Sequence, residues 1–290
     1  MYNKKFENNN LVYSLDMIRL KTYITYSQFS EIDFRFKTCW KNFVKKFYTT
    51  GKISEFFYNY IINVDDDKSF WFGFLHNTEK REDGEKEVYN FTIEFNPNKL
   101  KDNKIILYIL GLTGDWYVKM FHIAIDIPIN ITDLIVDFSG RREMRIFSCG
   151  NDNKTIYLGK GDGRLRVYNK KIESDLKIQG DLTRIEIVRE IEDFSIKRIA
   201  FFKYDKNFPS IYLNKYLYSL SDYEDKTLFA ILYAVQSGFP IKNLTKTYRK
   251  KIKNLLEGGH KIKFSDKCCT DCLQQTIYFY FMKNNKVIFN

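Results

Sequence analysis

Proline and long apolar runs are scarce in this chain of 290 residues. With 4 prolines and a hydrophobic fraction of 44%, the composition excludes a disordered chain, and the length predicts one large core with at most a small appendix. The best apolar run, Ile105–Leu112, is too short to cross a bilayer and contains Gly111. The opening residues MYNKKFENNN have no apolar segment of the secretory-signal type. We therefore expect a cytoplasmic protein with no membrane partner.

Cysteine is also sparse, and its number is odd. The five residues are Cys39, Cys149, Cys268, Cys269 and Cys272. Such an uneven set does not form a disulfide framework. Cys269 and Cys272 have C-x-x-C spacing, but no second pair or histidine motif accompanies them. A zinc site is therefore disfavoured, and the role of the cluster stays open.

Acidic residues are outnumbered by basic ones, 36 against 47, which gives a formal net charge of +11. A basic balance is typical of proteins with polyanionic partners, although some basic proteins bind nothing special. The aromatic fraction of 17% adds rings that can stack on unpaired bases. We therefore favour a nucleic acid as the partner.

Alternating segments separated by turn residues predict an α+β fold with a mainly antiparallel central sheet and flanking helices. The predicted strands cover residues 11–24, 32–36, 69–75, 88–95, 116–126, 143–148, 155–159, 164–170 and 182–190. Short helices are predicted at 42–48 and at 99–110, the second capped by the Asn96-Pro97-Asn98 segment.

The chain changes character near residue 216. A capping box at Ser221–Glu224 precedes the apolar run Leu228–Val235, and Leu244–Leu256 follows as a basic helix. The cations of this second helix are Lys246, Arg249, Lys250, Lys251 and Lys253. The pattern predicts a helix-turn-helix-like region that binds duplex DNA or, alternatively, a packing helix with a solvated basic face.

Residues 275–289 are aromatic and alternate in the manner of a strand. The predicted division of the chain is therefore a main domain at 1–215 and a basic C-terminal region at 216–290.

The stretch Thr155–Glu190 carries the residues that suggest chemistry. Side chains alternate faces along a strand, so the strand 164–170 places four polar side chains on one face: Arg164, Arg166, Tyr168 and Lys170. On the following strand, Arg184 and Glu186 share a face. A tyrosine with guanidinium groups and carboxylates suggests metal-assisted attack on a phosphodiester.

An upstream strand offers ligands for a divalent ion. His122 and Asp126 are four residues apart on the predicted strand and therefore on one face. Carboxylates suit Mg²⁺ or Mn²⁺, and an imidazole can also ligate a divalent ion. Glu173 and Glu186 would complete the site. Each also has an ordinary alternative: His122 as a core histidine, Glu173 as a surface charge, and Glu186 as the ion-pair partner of Arg184.

The order of these blocks resembles the replication initiation factor family, the Rep-trans group of plasmid rolling-circle initiators and related relaxases. The blocks are FHIAID at 121–126, TIYLG at 155–159, RLRVYNKKIE at 164–173 and TRIEI at 183–187. In that family an R-x-D-x-A-x-D strand precedes a Y-x-G strand, an R-x-Y-[ND]-K-x-x-E strand and an R-x-E strand. The match runs from residue 88 to residue 190, and His122 departs from it, since an acidic residue is expected there.

The resemblance implies a role for each matched residue. Tyr168 is the implied nucleophile, and Tyr157 is its rival. The implied metal ligands are His122, Asp126, Glu173 and Glu186, and the residues implied to orient the phosphate are Arg166 and Arg184. Arg164, Lys170 and the five cations of the basic helix are expected to contact DNA.

The function implied by the resemblance is site-specific, metal-dependent DNA nicking and strand transfer through a covalent 5′-phosphotyrosine, which starts rolling-circle replication of a plasmid. The expected partner is origin DNA, as a duplex, a hairpin or a single-stranded nick site. A second copy of the chain, a host helicase and a polymerase are further candidate partners. A relaxase of a mobile element is one alternative, and a basic nucleic-acid-binding protein without catalysis is another.

Overall fold

The computed structural model describes residues 11–41, 44–48, 58–65, 68–81, 84–101, 103–113, 115–137, 144–148, 154–173, 180–205, 208, 210–213, 226–236, 239–257 and 261–283. The strands are β1 (Val12–Ile24), β2 (Val44–Tyr48), β3 (Tyr58–Asp65), β4 (Lys68–Arg81), β5 (Gly84–Phe95), β6 (Trp116–Ile127), β7 (Leu134–Asp137), β8 (Met144–Ser148), β9 (Lys154–Leu158), β10 (Leu165–Asn169), β11 (Thr183–Ser195) and β12 (Ser210–Leu213). The helices are α1 (Tyr26–Lys37), α2 (Lys104–Leu110), α3 (Lys170–Glu173), α4 (Lys226–Gln236), α5 (Lys246–Glu257) and α6 (Asp266–Ile277).

Ten of the strands form one sheet in the order β2-β3-β4-β5-β1-β6-β11-β10-β9-β8, and β7 pairs with β12 in a separate ribbon. Every pairing in the sheet is antiparallel. The α+β prediction with a mainly antiparallel sheet is therefore confirmed.

The two faces of the sheet differ in chemistry. On β6, Phe121, Ile123 and Ile125 are fully buried and belong to the main core. They alternate with His122 and Asp126, which lie on the other face. Complete burial of such apolar side chains stabilises the fold by about 1.5–3 kcal/mol each. The polar face is thereby left to carry the candidate site.

The predicted strand at 32–36 is wrong, because this segment belongs to α1. Thr25 and Gln28 form a capping box at the start of the helix, which satisfies backbone donors that a strand would not leave open. Ile32 and Phe36 are buried and four residues apart, so they share one helix face.

Two further elements also differ from the predictions. The predicted helix at 42–48 is wrong, because β2 occupies 44–48 and pairs with β3 at the edge of the sheet. The helix predicted from residue 99 begins at Lys104, where the side chain of Asn103 accepts from two backbone amides. Asn96 instead accepts from the amides of Asn98 and Lys99 and closes a separate turn.

The predicted strand at 275–289 is wrong over the residues that the structure describes. Ser265 caps α6, and a π-helical turn, Tyr278–Lys283, follows it directly. Phe279, Tyr280 and Phe281 are buried in the main core. Tertiary packing of these rings therefore outweighs the local preference of aromatic residues for strands.

Helices α4 and α5 form a second, smaller core with the β7–β12 ribbon. Leu232 of α4 and Ile252 and Leu256 of α5 are buried there with Tyr212 of β12. The helices predicted at 228–235 and 244–256 are confirmed, whereas the capping box at 221–224 lies outside the described residues. Helix α6 packs on β1 of the main sheet, and a domain boundary at residue 215 stays a prediction.

Among the described helices, none is both long and apolar enough to cross a membrane.

Candidate active site

Two rows of side chains cross the polar face of the sheet. The first row, one residue per strand from β8 to β6, is Arg145, Tyr157, Arg166, Glu186 and Ala124. The second row is Phe147, Thr155, Tyr168, Arg184 and Asp126. Directly opposed residues on antiparallel strands have Cβ atoms about 4.5–5.5 Å apart. The register therefore brings together side chains from distant parts of the chain.

Tyr168 is buried under its neighbours. Only 1% of the residue is exposed, and its hydroxyl donates a hydrogen bond to Glu186 Oε1. The guanidinium carbon of Arg166 lies 4.0 Å from the centre of the tyrosine ring. The predicted nucleophile is thus covered on one side and hydrogen-bonded at its reactive oxygen.

Burial also alters the proton affinity of this pair. It raises the pKa of the Tyr168 phenol well above the usual value, and the neighbouring Glu186 carboxylate raises it further. Burial likewise raises the pKa of Glu186. For Tyr168, burial and the neighbouring carboxylate both disfavour a phenolate.

Arg166 connects the two rows to α3. Its terminal nitrogens lie 3.8 Å from carboxylate oxygens of both Glu173 and Glu186. Glu173 also accepts a hydrogen bond of 2.8 Å from Lys170 Nζ. The predicted strand 164–170 ends at Asn169, so Lys170 reaches the tyrosine from α3, with Nζ 5.7 Å from the ring centre of Tyr168.

Arg184 of β11 links its strand to β6 and β1 through side-chain hydrogen bonds. Its Nε and Nη2 atoms bond to the two carboxylate oxygens of Asp126 at 2.6 and 2.7 Å. Its Nη1 bonds to Asp16 of β1 at 3.0 Å, and Asn96 also donates to Asp16. All three guanidinium nitrogens are used within the protein, so this arrangement favours a structural role over phosphate binding.

His122 is a buried imidazole on the same face. Within the part of the chain that the structure describes, its Nε2 atom is buried and has no hydrogen-bond partner. Burial lowers the pKa of His122 to about 4. The side chain is therefore neutral at physiological pH, which is the form that ligates metals.

The four predicted metal ligands are not gathered around one point. Asp126 is bound by Arg184, Glu186 by Tyr168, and Glu173 by Lys170. Across the described ranges, no three His, Cys, Asp or Glu side chains are close enough together to hold an ion. As arranged, these residues do not fit a divalent metal, and the predicted Mg²⁺ or Mn²⁺ stays a prediction.

Tyr157 has a different environment from Tyr168. It is partly exposed and lines a surface cavity of about 390 Å³. The lining residues are Arg145, Phe147, Tyr157, Gly159, Lys160 and Arg164. The guanidinium carbon of Arg166 lies 5.7 Å from the Tyr157 ring centre, so one arginine contacts both candidate tyrosines.

The β9–β10 turn positions two of these cations, Lys160 and Arg164, at the cavity. Gly159, Gly161 and Gly163 all have positive φ angles, of 74°, 61° and 75°, a backbone region that side chains with a Cβ atom rarely occupy. Asp162 accepts hydrogen bonds from Arg189 Nε at 2.9 Å and from the Glu190 amide at 3.1 Å. The glycines thus form the tight turn, and Asp162 anchors it to β11.

The basic helix α5 presents most of its cations to solvent. Lys246, Lys250 and Lys251 are exposed, and Lys253 is partly exposed. Arg249 differs, because its Nη2 donates to the backbone carbonyls of Lys242 and Leu244 at 2.6 and 3.0 Å. Arg249 therefore holds the turn between α4 and α5.

Comparison with known proteins gives a weak structural likeness and no matching family. No family model matches the chain, and no curated protein matches it at a significant level. The fold is similar to a solved structure. That structure is described as a rolling circle replication initiator protein from Geobacillus stearothermophilus, and the match covers 66% of this chain and 78% of the other at 11% identity, with a TM-score of 0.39. So weak a likeness carries no functional argument, and function must be inferred from the sheet face.

Four residues near this face were not predicted from the sequence: Asp16, Arg145, Phe147 and Lys160. Asp16 lies at a register shift between Leu15 and Met17, and such a bulge has no clear sequence signature. Arg145 and Phe147 join the site only through the pairing of β8 with β9. Lys160 lies between Gly159 and Gly161 in the turn, outside the alternating pattern of the strands.

Proposed function

We propose that this protein nicks DNA at a specific site through a tyrosine and so initiates rolling-circle replication of a plasmid. The observation that carries the proposal is the polar face on which Arg166 contacts the rings of both Tyr157 and Tyr168. A phenol beside guanidinium groups on a strand-built, rigid surface supplies a nucleophile and positive charge for the non-bridging oxygens of a phosphodiester.

The proposed reaction is a transesterification. The phenolic oxygen attacks phosphorus, a phosphorus–tyrosine oxygen bond forms, and the bond from phosphorus to the 3′ oxygen breaks. The phenolic proton passes through solvent to the departing oxygen, which becomes a free 3′-hydroxyl. One phosphodiester replaces another, so the step is reversible, and the free 3′-hydroxyl is the primer that replication requires.

Duplex recognition is proposed for the α4–α5 region. Residues 237–245 connect α4 to the basic helix α5. A packing helix followed by a basic helix is compatible with the arrangement in which a recognition helix enters the major groove. Lys246, Lys250 and Lys253 fall at helix spacings of four and three residues and so share one face of α5. With a net charge of +11, binding would depend strongly on salt.

The test is formation of a covalent adduct. The full chain is incubated in a magnesium-containing buffer with a randomised pool of single-stranded oligonucleotides labelled at the 3′ end with a fluorophore. The mixture is then denatured in SDS and separated by electrophoresis. Wild-type protein is expected to give a fluorescent band at protein size, since the tyrosine retains the labelled fragment.

The control is the double variant Tyr157→Phe/Tyr168→Phe. It is expected to bind the same pool by fluorescence anisotropy and to give no labelled band. Absence of the band from wild-type protein would favour a binding protein without catalysis. A band of undiminished strength from the folded double variant would exclude tyrosine chemistry on this face.

A further inference from the structure

We infer that Tyr157 is the nucleophile and that the cavity beside it, lined by Arg145, Lys160 and Arg164, holds the phosphate under attack. This assignment rests on the proposed nicking function and names the residue that performs it. Tyr168 is then a structural residue, whose hydroxyl donates to Glu186 and whose ring packs against Arg166.

The two tyrosines differ in their exposure to solvent. A phosphodiester must bring phosphorus into contact with the phenolic oxygen. At Tyr168 that oxygen is bonded to Glu186, and 1% of the residue is exposed. Tyr157 instead forms part of the wall of a cavity of about 390 Å³, a volume within the range of sites that bind small organic groups, roughly 300–1,000 Å³.

The distribution of positive charge also favours Tyr157 as the nucleophile. Arg145 is directly opposite Tyr157 on β8, and Arg166 is directly opposite it on β10. The glycine turn adds Lys160 and Arg164 at the cavity. Guanidinium groups bind phosphate oxygens in a planar, two-point geometry. Cations therefore flank Tyr157 on both neighbouring strands and at the end of its own strand.

Phe147 adds a surface for a base. The side chain is 59% exposed on β8, and its ring centre lies 5.7 Å from that of Tyr157 in an edge-on arrangement. An exposed aromatic ring next to a phosphate-binding group matches the stacking platforms that hold unpaired bases. The pair Phe147 and Tyr157 therefore fits a single strand whose base stacks beside the scissile phosphate.

The bond changes are those of the proposed transesterification, with Tyr157 Oη as the attacking atom. Oη loses its proton and forms the bond to phosphorus, and the departing 3′ oxygen gains a proton. The cations around the cavity stabilise the negative charge on the non-bridging oxygens as the phosphorus becomes five-coordinate.

Single variants test the assignment in the same adduct assay. Tyr157→Phe is expected to abolish the fluorescent band and to keep binding of the pool. Tyr168→Phe is expected to keep the band, although it removes a buried hydrogen bond and lowers the free energy of unfolding. Urea unfolding confirms that each variant is folded under the assay conditions.

The outcomes separate this inference from the proposed function. A wild-type band that persists in Tyr157→Phe, or that disappears in folded Tyr168→Phe, would overturn the assignment and leave tyrosine nicking intact. Absence of the band from wild-type protein would instead overturn both. Should Tyr168→Phe fail to fold, the site of attachment in the wild-type adduct decides between the two residues.

Arg145→Gln provides a second test. The change removes one cation of the cavity and keeps both tyrosines, so it is expected to slow adduct formation without changing the labelled product. Lys197→Gln removes one charge from an exposed ion pair with Asp115 and serves as the matched control. Equal rates for the two variants would exclude Arg145 from the phosphate site.

Discussion

At the scale of single residues, the contacts of Arg184 favour a structural role over the phosphate-orienting role predicted from the sequence. The motif placed it beside a reacting phosphate, yet each of its guanidinium nitrogens bonds to Asp126 or Asp16. Alternation along the strands was sufficient to predict its face. It gave no information on Asp16, which reaches the site from a strand 168 residues away in sequence.

Arg184→Ala is expected to lower the free energy of unfolding by roughly 3 kcal/mol, because it leaves two partly buried carboxylates without their cation. Urea denaturation measures the change. Lys197→Ala is the matched control. Its ion pair is exposed, with 52% and 66% of the two side chains accessible, so little change in stability is expected. Equal losses would contradict the structural role of Arg184.

His122 is expected to make stability depend on pH. Its pKa is about 4 in the folded protein because of burial, against about 6.5 in an unfolded chain. The unfolded state therefore binds a proton first as the pH falls, and the folded state loses stability between pH 6.5 and pH 4. The expected contribution is about 2 kcal/mol between pH 7 and pH 5.

His122→Leu tests this linkage. Urea unfolding at pH 7 and at pH 5 is compared between the variant and wild-type protein. The variant is expected to lose less stability on acidification, because leucine binds no proton. A pH dependence unchanged by the substitution would show that His122 is not buried as a neutral imidazole.

At the scale of elements, the sequence predicted most strands of the main sheet, but it also assigned two aromatic-rich helical segments to strands. The strands around Tyr168 were predicted because alternation and glycine turns agree there. The helix α1 and the buried turn after α6 were not, since both are rich in aromatic residues whose local preference is for strands. For α1, the capping box at Thr25 was the signal that was overlooked.

The basic helix α5 gives an expectation of its own. The triple variant Lys246→Gln/Lys250→Gln/Lys253→Gln is expected to bind duplex DNA more weakly. The slope of log affinity against log salt is expected to fall by about 0.9 for each phosphate that the helix no longer neutralises. Fluorescence anisotropy across a salt series measures both quantities.

Arg249→Ala and a charge-matched variant complete that experiment. Arg249 donates to backbone carbonyls in the preceding turn. Its loss is therefore expected to lower the free energy of unfolding and to change the salt slope little. Replacement of Lys37, Lys104 and Lys197 by glutamine removes the same charge from other elements. A slope reduced equally by this control would indicate general attraction to DNA and contradict a binding role for α5.

At the scale of the whole molecule, the sheet order explains why part of the site was predictable. Strands β9, β10 and β11 are neighbours in both sequence and space, so local patterns placed Tyr168, Arg166 and Glu186 together. The pairing of β1 with both β5 and β6, and of β11 with β6, joins segments far apart in the chain. Local patterns do not encode such pairings. They also do not show which side chains a neighbouring residue will cover, as Arg166 covers Tyr168.

The position of the covalent bond in the wild-type adduct tests the central claim most directly. Trypsin releases Tyr157 in the peptide Thr155–Lys160 and Tyr168 in the peptide Val167–Lys170. After nuclease digestion of the adduct, mass spectrometry is expected to find the nucleotide phosphate on Thr155–Lys160. The same mass increase on Val167–Lys170 would contradict the assignment to Tyr157. Its absence from every tyrosine peptide would contradict nicking by a tyrosine.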